Sequence, residues 1–382
     1  MIKKLLFLVV LAAPYITSAQ ITYQTLKSSK LGESRELKIQ LPRNYEQNKD
    51  KTYPVLIVLD ADYLFEPVAG NVDYYSYWED IPELIVVGVN QLNSRDDDAA
   101  YDERTFLPTG QGAAFFEFLG MELMKYIDET YRTAPFRAIV GHDYTANFIN
   151  YYLLKEKPLF QGYINLSPDL APEMADRITS SLSRSSNPIW FYLATASDDI
   201  SSLKEGILSF DAKIKALDNK NLHYTFDNFN EATHYTLVGN AIPRAIEQMF
   251  QAYRPISIQD YNRTLLQTSV SGHDYLVEKY DNIKLLFGVD KQIRINDFMA
   301  VYNAMEKTRN WEEINKLSKL AAKHYPKTML ATFFEARYEE ETGNPKRAMK
   351  SYQKAYGQEP IGFITIDFML DKAESIKQDF GY

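Results

Sequence analysis

The stretch Arg137-Ala138-Ile139-Val140-Gly141-His142-Asp143-Tyr144-Thr145-Ala146 runs from a strand through a sharp turn into a helix. Its first four residues predict a short buried strand, and residues 145–155 are predicted as a helix. A strand that turns directly into a helix needs small residues such as Gly141, because the two elements pass close to each other. The stretch is therefore predicted to form a tight strand–turn–helix unit with Asp143 in the turn.

Apolar runs on both sides of this stretch predict a mainly parallel sheet. Residues 53–59 and 83–89 are continuously apolar, as in strands covered on both faces, whereas residues 35–41 alternate like a half-exposed antiparallel strand. Residues 162–166 and 189–194 are predicted as further buried strands, and residues 115–131 and 242–253 are predicted as amphipathic helices. The alternation of strands and helices predicts an α/β fold whose sheet is covered by helices on both sides.

The chain after Pro255 is predicted to be helical. Four pairs of residues recur there at an offset of 34, the length of a tetratricopeptide helix pair: Asn310 and Asn344, Ile314 and Ala348, Ala321 and Ala355, Pro326 and Pro360. An ordinary amphipathic bundle is the alternative. We therefore predict an α/β domain at residues 20–255 and a small helical, tetratricopeptide-like domain at residues 256–382.

Several segments of the first domain resemble an esterase family of the α/β-hydrolase fold, the family of esterase D-type and siderophore-type esterases. The resemblance covers about residues 25–250. It rests on YPVLIVLDADYLF (53–65), IPELIVVGVN (81–90), VGHDYTANF (140–148), FQGYINLSPDL (160–170) and EATHYTLVGNAIPRAI (231–246). The resemblance implies an α/β-hydrolase-like domain whose active site lies at the turn before Tyr144.

The same resemblance implies the roles of individual residues. It puts Asp143 at the position of the nucleophilic serine, His234 at that of the general base, and Asp198 or Asp199 at that of the orienting acid. This chain order, nucleophile, acid and then histidine, is the order of α/β hydrolases.

The resemblance also implies an oxyanion loop. The loop with Ala61 and Asp62 corresponds to the family's oxyanion loop, and Tyr144 directly follows the nucleophile position. Backbone N–H groups at these three residues are therefore candidate donors to a reaction intermediate.

Two departures from the family pattern fall in the turn itself. Asp143 replaces the serine, and Thr145 replaces a glycine. A carboxylate has no hydroxyl group, so an acyl-enzyme of the serine type cannot form. A carboxylate would also repel the negative charge of a tetrahedral intermediate. These departures predict an esterase-like protein that has lost ester hydrolysis.

Two other interpretations of Asp143 stay open. Dehalogenase-like and epoxide-hydrolase-like enzymes use aspartate as the nucleophile on this fold, which would make the chain a hydrolase with Asp143 as nucleophile and His234 as base. Alternatively, Asp143 acts only as the N-cap of the following helix, a contribution of about 1 kcal/mol.

The N-terminal residues predict export. Lys3 and Lys4 precede an apolar run at residues 5–13, and small residues at 17–19 precede Gln20, which is the layout of a secretory signal peptide at residues 1–19. The apolar run is too short to span a bilayer. The chain contains no cysteine, which excludes a disulfide or a lipid on a cysteine. We expect a periplasmic or secreted protein that is not a lipoprotein.

Charge and composition narrow the possible partners. The net charge is −9, with no dense run of Lys or Arg, which argues against nucleic acid or anionic membranes as partners. No histidine has a partner at metal-ligand spacing, and Asp96-Asp97-Asp98 lacks the spacing of a calcium loop, so it is predicted to be a solvated loop. No metal or cofactor is expected.

These observations together predict the function. We expect a catalytically inactive, partner-binding subunit of an envelope assembly for secretion or uptake. It would bind other proteins through the helical repeats or through the surface of the hydrolase-like domain.

Overall fold

The computed structural model describes residues 21–267 and 269–381. The predicted signal peptide at residues 1–19 lies outside the described residues. Within those two described segments, no helix is long and apolar enough to cross a membrane.

In the described residues, eight strands form one sheet. They are β1 (Ile21–Lys27), β2 (Ser34–Gln40), β3 (Tyr53–Val58), β4 (Ile85–Val89), β5 (Thr133–His142), β6 (Gly162–Leu166), β7 (Ile189–Asp198) and β8 (Leu222–Thr233). Their order across the sheet is β1-β2-β4-β3-β5-β6-β7-β8. The first two strands pair antiparallel to their neighbours, and the pairs from β4 to β8 are all parallel. The predicted mainly parallel sheet is confirmed.

Between residues 21 and 255, eight α-helices accompany the sheet. They are α1 (Phe65–Tyr77), α2 (Arg95–Asp98), α3 (Gly110–Glu117), α4 (Met124–Thr130), α5 (Tyr144–Ile149), α6 (Met174–Arg184), α7 (Ser201–Lys215) and α8 (Leu237–Met249). Successive strand residues face opposite sides: Val140 packs in the core with α1 and α8, and Ile139 packs in the core with α3 to α7. Both faces of the sheet are therefore covered, as predicted.

Some predicted boundaries were wrong. Strand β5 is longer than the predicted residues 137–140, and the single helix predicted at 115–131 is α3 and α4 joined by a π-helical turn at Phe118–Leu123. Helix α5 ends at Ile149 and continues only as a short 3₁₀ turn. Strand β8 was not predicted because its side chains are largely half-exposed or exposed, so it lacks a continuous apolar run.

The chain beyond Pro255 is helical, as predicted. Its helices are α9 (Ile258–Asp260), α10 (Gly272–Phe287), α11 (Ile295–Lys307), α12 (Trp311–His324), α13 (Leu330–Glu341), α14 (Pro345–Gln353) and α15 (Ile366–Phe380). The turns before α12 and α14 share one geometry. Arg309 and Gly343 both have positive φ, 55° and 82°, and the next residues, Asn310 and Asn344, each donate a backbone N–H over 2.8 Å to the residue five positions earlier.

The helical region packs against the hydrolase-like sheet through aromatic side chains. The Phe287 ring at the end of α10 lies 5.1–5.6 Å from the rings of Phe136, Trp190 and Phe250. Phe136 lies near the start of β5, whereas Asp143 follows its end, roughly 20 Å away at about 3.3 Å per residue. The helices are therefore anchored at the edge of the sheet opposite the predicted active site.

Candidate active site

The turn after β5 has the geometry of a nucleophile elbow. Asp143 joins β5 to α5 with φ 60° and ψ −120°, a left-handed conformation that is strained for a residue with a side chain. A Cβ atom at Gly141 would lie 2.6 Å from the backbone carbonyl of Thr145, so only glycine fits there. The Asp143 N–H donates to the carbonyl of Leu166 on β6 over 3.0 Å, which fixes the turn above the sheet.

The interpretation of Asp143 as a helix N-cap is wrong. Asp143 occupies the N-cap position of α5, but its side chain makes no capping hydrogen bond. Its carboxylate instead pairs with the guanidinium of Arg95, with Oδ2 lying 3.4 Å from Nη1.

The histidine and acid predicted from the family pattern lie together beside the turn. His234 Nδ1 is 2.9 Å from Asp199 Oδ1, and both residues are buried. Asp198, the other candidate, ends β7 with an exposed side chain. Asp199 is therefore the acid that pairs with His234.

Asp199 is held as a carboxylate by its neighbours. Burial alone would raise its pKa, but hydrogen bonds from four groups outweigh burial and hold the pKa of Asp199 well below its usual range. The donors are His234 Nδ1, Thr195 Oγ1 at 2.7 Å, Ser167 Oγ at 2.7 Å and the Ile200 N–H at 2.8 Å.

His142 is a buried, neutral residue of the turn. Burial and the neighbouring His234 lower its pKa to about 4. Its Nε2–H donates to the His234 carbonyl over 3.1 Å, and its Nδ1 lies 3.0 Å from the Tyr63 hydroxyl. His142 therefore fixes the position of the segment that carries His234.

Sequence analysis did not identify Arg95, which organises the floor of the site. Its Nε donates to Asp60 Oδ1 over 2.8 Å and its Nη2 to the His142 carbonyl over 3.0 Å. Burial raises the pKa of Asp60, and the Arg95 charge opposes that shift. Thr145 donates its hydroxyl to Asp60 Oδ2 over 2.6 Å. Asp143 and Thr145 thus both contact this Asp60–Arg95 pair.

The prediction of a solvated loop at Asp96-Asp97-Asp98 is wrong, because the three residues lie in the short helix α2 (Arg95–Asp98). Asp96 and Asp97 are exposed, but Asp98 is fully buried and accepts a hydrogen bond from Arg35 Nη2 over 3.0 Å. This buried ion pair fixes the short helix α2 that carries Arg95. In residues 21–267 and 269–381, no group of three or more acidic or histidine side chains is arranged to hold a metal ion.

The candidate oxyanion residues differ in their hydrogen bonds. The Ala61 N–H donates to the Val89 carbonyl over 3.1 Å, so it is already engaged between two strand ends. The Asp62 carboxylate accepts the Gln91 N–H over 2.8 Å, which fixes the loop conformation. Tyr144 begins α5, with its ring 5.4 Å from the Arg95 guanidinium carbon. Asp62 and Tyr144 remain the candidate N–H donors.

The sheet, the sharp turn after β5 and the His234–Asp199 pair define an α/β-hydrolase-like protein. A sequence model of the family described as "Putative esterase" matches residues 28–257, and the chain belongs to this esterase family. No curated protein matches the chain.

Solved structures resemble both parts of the chain. An uncharacterised protein from Capnocytophaga ochracea is 30% identical, with a TM-score of 0.84 over 94% of this chain and 100% of that one. An IroE-like serine hydrolase from Shewanella oneidensis is 21% identical, with a TM-score of 0.59 over 78% of this chain and 98% of that one. The BES protein from Bacillus cereus is 17% identical, with a TM-score of 0.52 over 65% and 97%. The hydrolase from Shewanella oneidensis and the BES protein are similar to this chain in fold.

Proposed function

We propose that this esterase-family chain does not hydrolyse esters by acyl transfer and instead serves as a partner-binding subunit of an exported envelope assembly. The observation that carries the proposal is the carboxylate of Asp143 at the nucleophile position, paired with Arg95 at 3.4 Å. Acyl transfer needs an attacking hydroxyl or thiol, and an oxyanion next to this carboxylate would be repelled.

The helical region supports a binding role. Helix pairs α11–α12 and α13–α14 repeat the same turn. Buried alanines recur in their second helices at Ala321 and Ala348, and Ala355 is buried in the 3₁₀ turn that follows α14. Stacked helix pairs of this kind form extended surfaces that bind other proteins. Because these helices are anchored away from the turn, a partner bound to their outer surface would leave the turn at Asp143 uncovered.

A second candidate is a hydrolase that uses Asp143 as its nucleophile. It is favoured by the left-handed turn at Asp143 and by the assembled His234–Asp199 pair. The Asp143 carboxylate would attack a carbon atom and displace a halide or open an epoxide, and water deprotonated by His234 would then hydrolyse the resulting ester. The Arg95 charge opposes this reaction, because it stabilises the carboxylate before attack.

An assay of p-nitrophenyl acetate hydrolysis tests the loss of acyl transfer. We expect background rates for wild type and a gain of turnover in Asp143→Ser, because the remaining residues of the site are assembled. Adding His234→Ala to Asp143→Ser should abolish that gain. Turnover by pure wild-type protein that is lost in His234→Ala alone contradicts the proposal.

The second candidate and the binding role have separate tests. Wild type and Asp143→Asn are compared on haloalkanes and epoxides, and equal background rates exclude Asp143 as a nucleophile for these substrates.

Native purification from envelope extracts is expected to yield a complex. A lone monomer with no co-purifying protein would remove the support for a partner-binding subunit.

A further inference from the structure

The loop between α10 and α11, residues 288–294, lies against the hydrolase-like domain. At its start, Gly288 approaches Pro135 of β5 so closely that a Cβ atom would not fit between them. At its end, Arg294 Nε lies 3.1 Å from Glu79 Oε2, in the segment that follows α1. The loop is therefore part of the contact between the helical region and the hydrolase-like domain.

Lys291, in the middle of this loop, carries a buried amine that has no hydrogen-bond partner in the described segments. Its side chain is 6% exposed, and Nζ itself is buried. Nζ lies 3.5 Å from the centroid of the Tyr253 ring, and its distance to Glu79 Oε2, 3.8 Å, exceeds that of a hydrogen bond. The attraction of a ring face for a cation is weaker than the cost of removing an ammonium group from water, so this position favours the neutral amine.

The surrounding charges do not compensate for this burial. Glu79 is 64% exposed, so water screens its charge. Both carboxylate oxygens of Asp297 already accept hydrogen bonds, from the Ile256 N–H and from the Tyr280 hydroxyl, each over 2.8 Å. Burial and the positive charge of Arg294 together lower the pKa of Lys291 to about 6. The charged and titratable groups that face Lys291 are Glu79 after α1, Tyr253 after α8, Lys279 on α10, Arg294 before α11 and Asp297 on α11.

We infer that Lys291 makes the attachment of the helical region to the hydrolase-like domain weaker as pH falls. In the closed contact the amine is neutral and packs on Tyr253. When the loop opens into water, the amine regains the basicity of an ordinary lysine and binds a proton. Between about pH 6 and about pH 10 the open form thus holds one proton more than the closed form, so each unit of falling pH shifts the equilibrium about tenfold toward the open loop.

Hydrogen–deuterium exchange of the full chain at about pH 7, 8 and 9 tests this inference, read by mass spectrometry on fragments that cover the loop. The reporter is the Arg294 N–H, which donates to the Tyr280 hydroxyl over 2.9 Å. Its protection factor is the exchange rate of an unfolded peptide at the same pH divided by the measured rate. We expect this factor to rise about tenfold per pH unit in wild type and to stay below that of the central strand β6, because the loop opens locally.

Two variants separate the titration of this amine from other effects of pH. Lys291→Met keeps a side chain of similar length without a titrating group, and its protection factors should vary with pH by less than about twofold. A purely structural role of Lys291 would change the level of protection but not its dependence on pH. Lys284 on α10 is the matched control, because its side chain is 61% exposed. Lys284→Met should keep the tenfold change per pH unit, and circular dichroism checks that both variants are folded.

The inference is overturned if protection of the loop in wild type does not depend on pH, or if Lys291→Met keeps the wild-type dependence. Loss of the dependence in Lys284→Met also overturns it. Equal protection of the loop and of β6 at each pH would do the same, because the loop would then open only with the whole fold. None of these results affects the proposed loss of acyl transfer, which is measured separately as ester turnover.

Discussion

Arg95 Nε donates to Asp60 Oδ1 over 2.8 Å beside the turn that carries Asp143. Asp60 is 1% exposed, so its carboxylate depends on this partner for its charge. The contact of Arg95 with Asp143 is longer, 3.4 Å, and Asp143 is partly exposed. One guanidinium thus contacts both the buried carboxylate of Asp60 and the carboxylate of Asp143 at the sharp turn after β5.

The first prediction follows from this difference in burial. Arg95→Met should lower the free energy of unfolding by about 3–5 kcal/mol, because it leaves Asp60 buried without a counter-charge. Asp143→Asn should change it by less than about 1 kcal/mol, because the lost ion pair is long and partly solvated. Urea unfolding followed by circular dichroism measures both. Equal losses in the two variants would show that Asp143, not Asp60, is the main partner of Arg95.

The second prediction concerns pH and Asp199. Its pKa is lowered in the folded state, so its carboxylate stabilises the fold above the ordinary carboxyl pKa, and this contribution is lost as pH falls toward the folded pKa. Asp199→Asn should cost about 1.5–3 kcal/mol at pH 7 and clearly less at pH 3. The exposed neighbour Asp198 is the matched control, and Asp198→Asn should stay within about 0.5 kcal/mol at both pH values. A cost for Asp199→Asn that is independent of pH would contradict the assignment.

The third prediction concerns Asp169, whose ionised form lowers the stability of the fold, whereas that of Asp199 raises it. Burial and Asp143 raise the pKa of Asp169, so its ionised form destabilises the fold above that pKa, and the penalty disappears below the ordinary carboxyl pKa. Asp169→Asn should therefore raise the melting temperature by about 1–2 °C at pH 7 and leave it unchanged at pH 3. In an Asp143→Asn background the gain should be smaller, because the repelling neighbour is neutral. A lower melting temperature at pH 7 would mean that Asp169 has a stabilising partner.

The fourth prediction tests how firmly the helical region is attached. Phe287 is fully buried among Phe136, Trp190 and Phe250, so Phe287→Ala should cost about 3–5 kcal/mol through lost contacts and a cavity. Leu285 lies two residues earlier on α10 but is 82% exposed, and Leu285→Ala should stay within about 0.5 kcal/mol. Chemical unfolding measures both. A small effect of Phe287→Ala would show that the two regions are held together by other contacts.

Much of the fold could be predicted from apolar runs. Strand β6 has the predicted bounds, 162–166, because a strand buried on both faces is continuously apolar. The polar edge strand β8 could not be predicted in this way, because few of its side chains are buried. The packing of Phe287 on Phe136 could not be predicted either, because 150 residues lie between the two in sequence and no local pattern connects them.

Only those residues of the site that lie within a recognisable family motif could be predicted from the sequence. Asp143 and His234 came from the family pattern. The choice between Asp198 and Asp199 needed the structure, because the two are neighbours at the end of one strand. Arg95 was not identified because it directly precedes the acidic run at residues 96–98 and belongs to no motif. It reaches Asp60 because β3 and β4 are parallel neighbours whose ends meet at one edge of the sheet. The available signal was a single arginine shortly after a buried strand, at the edge where the predicted turn also lies.

The left-handed backbone of Asp143 bears on which side chains evolution can place at this position. Such a conformation costs of order 1–3 kcal/mol and persists only where the surrounding structure enforces it, here through Gly141 and the Leu166 carbonyl. The shape of the bend is therefore set by the strand, the helix and their contacts, independently of the chemical group it displays. A turn of this kind can carry either a side-chain hydroxyl or a carboxylate with the same backbone conformation.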